Sequence, residues 1–255
     1  MKRELGSRAE LVEYVKVEFP ECLEHGDEVS EIRGGRRAAE ALLEKVNPDR
    51  YARSRNFLSG AVTRLAPYLR HGVLSMGEVR RKALAKPNHE KLVNEYAWRD
   101  YWRRVYGQIG EGVWQDREEP KRRWRDQREH AELPVDIATA NTGLACMDGF
   151  VSELRSTGYL HNHARMWFAS YVVHWRRVRW QAAAKLFLTH LLDGDPASNN
   201  LSFQWVASTF GSKPYLFNRE NLEKYTDGQY CKRCVRASDC PFAKPYEQID
   251  KELFQ

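Results

Sequence analysis

The sequence of 255 residues contains no run of eighteen apolar residues, and no apolar stretch follows the basic residues near its start. The first absence excludes a membrane-spanning helix and the second a secretory signal, so we expect a cytoplasmic protein that does not enter membranes. Internal repeats and low-complexity segments are also lacking. With 42% hydrophobic and 30% charged residues, the composition indicates a globular protein rather than a disordered or fibrous one.

Alternating β-type patterns are almost absent, whereas helical periodicity runs nearly from end to end. This pattern predicts an all-α fold. We expect Asn47 and Pro48 to stop the second helix, Gly158 to end another in a left-handed conformation, and the polar stretch 110–140 to form a long irregular surface connection. The predicted helices span residues 7–19, 36–46, 63–71, 75–86, 88–109, 144–157, 161–175, 179–192 and 199–209.

Acidic residues are outnumbered by basic ones, 35 against 41, which gives a net charge of +6 and a pI near 9.0. This excess suits a polyanionic partner without requiring one. Cations and indole rings alternate in two stretches, as they do on nucleic-acid-binding surfaces, although a solvated charged face has the same pattern. The residues are Arg122, Arg123, Trp124 and Arg125, and then Trp175, Arg176, Arg177, Arg179 and Trp180.

Cysteine is scarce, with five residues, and a reducing compartment favours thiols or metal ligands over disulfides. Cys231, Cys234 and Cys240 form a C-x₂-C-x₅-C pattern, which fits thiolate ligation of a soft metal and lacks one ligand. Cys146 is the candidate for that fourth ligand. The spacing alone leaves a zinc site and an iron–sulfur cluster both open. Cys22 belongs to neither pattern, and we expect it to be a small buried apolar residue.

Five motifs occur along the chain: TRLAPYLRHGVLS at 63–75, NEYAWRDY at 94–101, TGYLHNHARM at 157–166, DGDPASNN at 193–200 and QWVAST at 204–209. In this order they resemble, over about residues 51–218, the FAD-binding domain of the cryptochrome/photolyase family. The resemblance implies one helical FAD-binding domain over residues 1–255, with a cysteine-rich segment at about 225–245. It also implies that the family's N-terminal α/β antenna domain has no counterpart here.

The resemblance implies two sets of FAD contacts. Tyr51, Thr63, Arg64 and Leu65 match the loop and helix start that hold the diphosphate in the family, where backbone amides and hydroxyls meet an anion. A plain helix cap at Thr63 is the alternative.

The second set surrounds the flavin ring. Arg165 and Asp193 match the family's ion pair beside the ring, Asp195 matches an acid that binds the flavin or its ribose, and Asn199 matches the amide that faces flavin N5. A simple helix stop is the alternative for residues 193–199. The remaining implied flavin contacts are Glu95, Arg99 and Asn162.

A further group matches the pocket of photolyases that repair cyclobutane pyrimidine dimers. In such a pocket an acid and an amide bind the base edges and indoles stack on a lesion that is flipped out of the DNA. Core packing is the alternative for the two tryptophans. The implied catalytic residues are Glu95, Trp98, Asn162, Met166 and Trp205. One departure concerns DNA contacts, because His163 stands where these relatives commonly have an arginine.

The electron path to the flavin also departs from the family pattern. Trp180 matches the middle link of the tryptophan chain, but Phe203 occupies the flavin-proximal position, and phenylalanine is too hard to oxidise to serve as a relay. Trp124 is the nearest candidate for the outer link. The other aromatics that could substitute are Trp167, Tyr171, Trp175 and Trp205.

The sequence therefore predicts a FAD-dependent, blue-light-driven photolyase that acts on pyrimidine dimers in single- or double-stranded UV-damaged DNA. A cryptochrome-like photoreceptor without repair activity is the main alternative, and a flavin and cluster electron carrier without a role for light is the third. Because the cysteines resemble those of the bacterial iron–sulfur photolyases and cryptochromes, the resemblance also implies a 4Fe-4S cluster held by Cys146, Cys231, Cys234 and Cys240.

Overall fold

The computed structural model describes residues 4–23, 29–125 and 129–254, without the side chain of Cys22. Over these ranges the chain is helical and forms no sheet, only one isolated β-bridge between His130 and Val178. The all-α prediction is confirmed. No helix in the described ranges is long and apolar enough to cross a membrane. The expectation for Cys22 lies outside what the structure describes.

The described ranges contain thirteen α-helices, with a 3₁₀ turn at Pro20–Leu23, Gly110–Trp114 and Cys231–Arg233 and a π turn at Tyr171–Trp175. The helices are α1 Arg8–Glu18, α2 Arg36–Glu44, α3 Pro48–Ser54, α4 Ala66–Arg70, α5 Met76–Leu84, α6 Glu90–Ile109, α7 Val135–Ala138, α8 Ala145–Thr157, α9 Asn162–Ser170, α10 Trp180–His190, α11 Pro196–Ala207, α12 Arg219–Tyr225 and α13 Tyr246–Phe254.

Helix α3 corrects the prediction that Asn47 and Pro48 only end a helix. The side chain of Asn47 accepts a hydrogen bond from the backbone N–H of Arg50, and Pro48 occupies the first turn, where its missing N–H costs nothing. These two residues therefore start a helix that the sequence analysis left out. The signal was present, since an N-cap asparagine followed by proline is a typical helix start.

Two other helix boundaries differ from the prediction. Arg64 has a φ of 53°, which no α-helix accommodates, so the predicted helix 63–71 begins only at Ala66. The hydroxyl oxygen of Thr63 accepts the N–H of Leu65, 3.4 Å away, ahead of the helix rather than within its first turn. At the other end of the chain, α11 begins at Pro196 because Asp195 caps it, three residues earlier than predicted.

The stretch 110–140 is a largely irregular connection, as predicted, and α7 is its one α-helix within the residues described there. Backbone hydrogen bonds attach it to α11, since the N–H of Arg117 donates to the Gln204 side chain and the N–H of Glu118 donates to the carbonyl of Thr209. The connection therefore covers one face of α11.

Two hydrophobic cores organise the helices. The N-terminal core joins α2, α4, α5 and α6 around Leu65, Tyr68 and Leu92, and the larger C-terminal core joins α8 to α12 around Phe150 and Trp167. Helix α6 contacts α3 and α5 on one side and α11 on the other. It therefore stands between the two cores.

His174, in the π turn, is a fully satisfied core histidine. Its Nε2 lies 3.0 Å from the carbonyl oxygen of Val206, and its Nδ1 accepts the indole N–H of Trp124 at 3.4 Å. Both bonds require a neutral ring with the proton on Nε2. Burial lowers the pKa of His174 from 6.5 to about 4, which keeps the ring in that form near pH 7.

We expect acid to destabilise the fold through His174. The unfolded chain protonates the ring near pH 6.5, whereas the folded chain protonates it only near pH 4. The contribution of the neutral ring to the free energy of unfolding is therefore full above pH 6.5 and is lost as the pH falls toward 4. The loss amounts to roughly 3 kcal/mol at its full extent. Denaturant unfolding is measured between pH 7.5 and 4.5, pH values chosen to span this window. The free energy of unfolding should fall less steeply with decreasing pH for His174→Gln than for the wild type. Equal slopes would contradict this account.

The end of α8 provides a stability test with a matched control. Gly158 has a φ of 66°, as predicted for a left-handed helix end, and an added Cβ would lie 2.7 Å from Cγ of Leu192. Gly158→Ala should therefore lower the free energy of unfolding by about 1–2 kcal/mol or more. Gly107 is an exposed residue of α6 with open space around its Cα. Gly107→Ala should therefore raise the free energy of unfolding by about 0.5–1 kcal/mol. Denaturant unfolding measures both, and two equal shifts would refute the role of Gly158.

Candidate functional site

A cavity of about 350 Å³ lies between the two cores. Its walls come from α3, α4, α6, α9, α10 and α11 together with the segments 62–64 and 193–195. Every flavin- or lesion-contacting residue implied by the sequence lines it, apart from Leu65. These residues are Tyr51, Thr63, Arg64, Glu95, Trp98, Arg99, Asn162, Arg165, Met166, Asp193, Asp195, Asn199 and Trp205.

Leu65 is placed differently from its expected partners. Its side chain is fully buried in the N-terminal core and does not line the cavity. Any contact between Leu65 and a ligand there would therefore involve its backbone. The hydrophobic character of leucine was a sequence signal for this core position.

A two-pronged ion pair stands in the inner wall. The Nη1 and Nη2 atoms of Arg165 donate to the two carboxylate oxygens of Asp193 at 3.1 and 2.9 Å, and Nε donates to the carbonyl of Leu160. The Asp193 carboxylate is nearly buried, so its charge needs this partner. The pair holds both side chains in place, and α9 sets the orientation of Arg165.

Asp195 and Asn199 are both occupied by structural contacts. Asp195 caps α11 by accepting from the N–H of Ala197, and it lies 3.5 Å from Nη2 of Arg99. The amide nitrogen of Asn199 donates to the carbonyl of Ala184 and to the side chain of Asn200, each at 3.1 Å. Its amide oxygen, an acceptor, is left for a ligand. Asp195 therefore starts a helix, which differs from the helix stop that was the alternative for residues 193–199.

The arginines of the cavity wall differ in how they are paired. Among the described residues, Nε of Arg99 is buried without a hydrogen-bond partner, and burial lowers the pKa of this guanidinium. Arg64 forms no ion pair within the described part of the chain, and its guanidinium lies 4.9 Å from the ring centre of Tyr159. Both therefore have donors to offer an anion in the cavity.

Glu95 lies at the more open side of the cavity. Its Oε1 atom is 3.1 Å from Nη1 of Arg55 and 2.9 Å from Nζ of Lys91. Two cations hold this carboxylate in place. Arg55 was not among the predicted site residues, although it caps the end of α3 four residues after Tyr51, where two side chains share a face.

The two pocket tryptophans are not core residues. Trp98 is 48% exposed and Trp205 is 40% exposed, so both offer ring surface at the cavity. Trp98 stacks on Trp102 with ring centres 5.2 Å apart, and Trp102 in turn contacts Phe210. Core packing, the alternative for this pair, is therefore wrong.

The start of α9 is held by two histidines. The nearly buried His161 accepts the N–H of His163 on its Nδ1 atom, and burial lowers the pKa of His161 to about 4. His163 donates from Nδ1 to the carbonyl of Asn56 at 2.8 Å and stacks on Trp167 at 4.1 Å. The ring of His163 is thus packed into the wall. Nearby, the amide of Asn162 lies 3.8 Å from the sulfur of Met166.

The aromatic residues of the expected electron path make contacts that differ in part from the expected chain. Trp180 is buried, donates its indole N–H to Asp116 at 2.6 Å and stacks on Trp114 at 6.3 Å. Trp124, the expected outer link, bonds to His174 instead. Phe203 lines the cavity and packs on Phe187. Trp114, which was not among the predicted electron-path residues, is therefore the stacked neighbour of Trp180.

The basic residues of the two predicted nucleic-acid stretches are largely compensated. Arg122 pairs with Asp250 at 3.0 Å, Arg176 pairs with Asp136 at 2.7 Å, and Arg179 pairs with Glu129 at 2.7 Å. Charges that are already paired add little attraction for phosphate. These contacts favour the alternative of a charged surface for both stretches.

The four cysteines of the metal hypothesis share one smaller cavity. Cys146 of α8 and Cys231, Cys234 and Cys240 of the tail line it together with apolar side chains and Arg219, and we name it the thiol cavity. Burial raises the pKa of Cys231 to about 11 and raises that of Cys146 further. Within the described residues, no three Asp, Glu, His or Cys side chains are arranged to hold a single metal ion.

Comparison with known proteins shows which family this chain is similar to. The family described as the FAD binding domain of DNA photolyase matches residues 92–238, more than half of the chain. A deoxyribodipyrimidine photo-lyase of Streptomyces griseus is 34% identical over 151 residues, which are 58% of this chain and 32% of that protein. The chain thus spans about a third of that relative's length.

Two solved structures share the fold. An archaeal photolyase from Sulfolobus tokodaii, described with two FAD molecules, superposes with a TM-score of 0.68 at 26% identity and covers 87% of this chain and 56% of its own. A cryptochrome of Synechocystis gives a TM-score of 0.69 at 21% identity, over 82% of this chain and 47% of its own. The match across more than half of the sequence and the helical architecture agree, and the chain belongs to the family of photolyase FAD-binding domains.

Proposed function

We propose that the chain binds FAD in the cavity and uses blue light to split cyclobutane pyrimidine dimers in UV-damaged DNA. The main support is that one cavity joins the Arg165–Asp193 pair in its inner wall to Glu95, Trp98 and Trp205 at its more open side. The first group suits a flavin and the second two adjacent bases flipped out of one DNA strand. Because both cores supply cavity walls, we treat the chain as one FAD-binding unit.

The cavity fits FAD on several observations. Its volume lies within the range of about 300–1,000 Å³ that is usual for ligand pockets. Unpartnered donors of Arg64 and Arg99 suit the diphosphate or ribose hydroxyls, and the free amide oxygen of Asn199 suits a ring N–H. The Arg165–Asp193 pair presents opposite charges side by side, which suits the polar edge of the flavin ring.

At the lesion side, each side chain has a distinct task. The half-exposed rings of Trp98 and Trp205 stack on the extruded bases, and the Glu95 carboxylate accepts hydrogen bonds from them. Arg55 and Lys91 keep that carboxylate oriented. Asn162 and Met166 complete the wall and exclude water from the bases. When bound, reduced FAD supplies the light-driven electron, so the protein's contribution is position and electrostatics.

The photoreceptor alternative has two observations in its favour. His163 is packed on Trp167 and does not present a cation to phosphate, and three arginines of the basic stretches are paired with acids. A surface with little free positive charge binds DNA weakly. The repair assay below separates the two functions.

We expect light-dependent repair to depend on Glu95. Chemically reduced protein is mixed with a dimer-containing oligonucleotide without oxygen, with dark and 6-4 photoproduct samples as controls. Glu95→Gln should slow dimer loss by about ten- to a hundredfold, because a hydrogen bond to a charged group contributes about 1.5–3 kcal/mol.

Asp100→Asn is the matched control, because Asp100 lies on the same helix, is exposed and pairs only with Arg104 among the described residues. It should leave the rate unchanged. If the wild-type protein with reduced FAD repairs neither lesion, the photolyase proposal is wrong and the photoreceptor function is favoured.

We propose in addition that the thiol cavity holds a 4Fe-4S cluster. Four soft ligands face one mainly apolar cavity, and Arg219 next to them offsets negative charge. Four cysteines can also hold a single zinc ion, and the iron content and colour of the protein separate that alternative from the cluster.

The cluster is tested by its iron and its colour. Purified protein should contain iron and show broad visible absorption beyond the flavin bands, and Cys234→Ser should lose both. Cys22→Ser removes the one cysteine outside the predicted ligand set and should retain both. Zinc without iron in the wild-type protein would exclude the cluster.

A further inference from the structure

We propose that Trp167 is an electron relay between the thiol cavity and the FAD cavity, and that it replaces the relay lost at Phe203. The inference rests on the proposed binding of FAD and of a 4Fe-4S cluster. It concerns how the flavin obtains electrons, which is separate from the repair step.

A continuous row of rings joins the two cavities. His163, which lines the large cavity, stacks on Trp167 with ring centres 4.1 Å apart. Trp167 stacks on Phe150 at 6.0 Å, and Phe150 contacts Tyr230 edge-to-face at 5.2 Å. Tyr230 lines the thiol cavity. The row therefore begins at the wall of one cavity and ends at the wall of the other.

Trp167 is the ring of this row best suited to hold a charge. Indole is the most easily oxidised of the aromatic side chains present, whereas Phe150 can only bridge the gap between its neighbours. Trp167 is fully buried, and burial disfavours a charge on its ring unless a polar acceptor lies close to it. Its N–H donates to Oδ1 of Asn221 at 3.1 Å. Asn221 belongs to α12, the helix whose Arg219 and Leu222 also line the thiol cavity.

Close packing keeps the far end of the row in place. A Cβ on Gly149 would lie 2.6 Å from the ring of Tyr230, so the ring reaches this position only because residue 149 has no side chain. Gly149 is thus the position on α8 that admits Tyr230 beside Phe150.

The other candidate relays are less well placed. Trp180 stacks on Trp114, but the cavity wall on that side is formed by Phe203 and Phe187. Trp175 contacts Phe217 and Phe242, and Tyr171 contacts Phe242, so both adjoin the thiol cavity without lining the large one. Trp205 lines the large cavity but is 40% exposed.

The electron count is simple. Under blue light the oxidised flavin gains one electron from Trp167, past the ring of His163, and Trp167 regains one electron from the iron of the cluster. Trp167 ends unchanged, the flavin is reduced by one electron and takes its proton from solvent, and the cluster is oxidised by one electron. A one-electron reductant of the dithionite class restores the cluster between cycles.

The test is a light flash given to oxygen-free holoprotein whose iron and FAD contents have first been measured. Flavin reduction is followed by absorbance, and oxidation of the cluster by electron paramagnetic resonance. In the wild-type protein the two should appear in equal amounts. Trp167→Phe should slow flavin reduction by about tenfold or more, which corresponds to a barrier about 1.4 kcal/mol higher.

Two matched variants separate relay from packing. Trp167→Tyr loses the same hydrogen bond to Asn221 but keeps an oxidisable ring, so it should restore most of the rate lost in Trp167→Phe. Trp180→Phe should leave the rate near that of the wild type. In Cys234→Ser protein that binds FAD but lacks iron, the oxidised Trp167 should persist longer because no electron refills it.

The outcomes discriminate between the two proposals. If the wild-type protein lacks FAD, the proposed function and the relay both fail. If it binds FAD but lacks iron, the cluster and the relay fail while the proposed repair function stands. If both groups are present and Trp167→Phe reduces its flavin as fast as the wild type, the relay alone is wrong. A slow Trp180→Phe variant with a normal Trp167→Phe variant would instead identify the Trp114–Trp180 pair as the path. Equal slowing in Trp167→Phe and Trp167→Tyr would indicate packing only.

Discussion

A nearly buried carboxylate needs a fixed counter-charge, and at Asp193 the wall of the large cavity is arranged around this requirement. Arg165 satisfies it by binding both oxygens of Asp193 and the carbonyl of Leu160, so one guanidinium ties α9 to the segment between α10 and α11. Asp195, two residues on, caps α11 and faces Arg99 of α6. The Arg99–Asp195 pair thus joins α6 to the start of α11 at the cavity, beside the direct contacts between these two helices.

The sequence predicted the helical class from its periodicity, which is a local pattern. The cavity residues Arg165, Asp193 and Asn199 were chosen because their motifs resemble those of a known family, and the structure brings them to one cavity. Gly158 was equally predictable, since a left-handed helix end favours glycine over any other residue.

What the sequence could not predict depends on tertiary contacts. The positive φ of Arg64 shortens α4, and no local rule assigns that conformation to arginine. The contacts of Trp124 and Trp114 depend on how the irregular segment 110–125 folds over α11, and loop paths have no period to reveal them. The pairing of Arg122 with Asp250 joins residues that are far apart in sequence, so only the folded chain shows it.

The π turn at Tyr171–Trp175 has a consequence for how this fold can vary. A π turn accommodates one residue more than a regular α-helical turn, so it shifts the side chains within it relative to those of α9. Here that shift directs His174 to Val206 while α9 keeps Arg165 at the cavity. Substitutions in the turn preserve this phase, but a deletion of one residue would not. The length of this segment is therefore constrained more tightly than its composition.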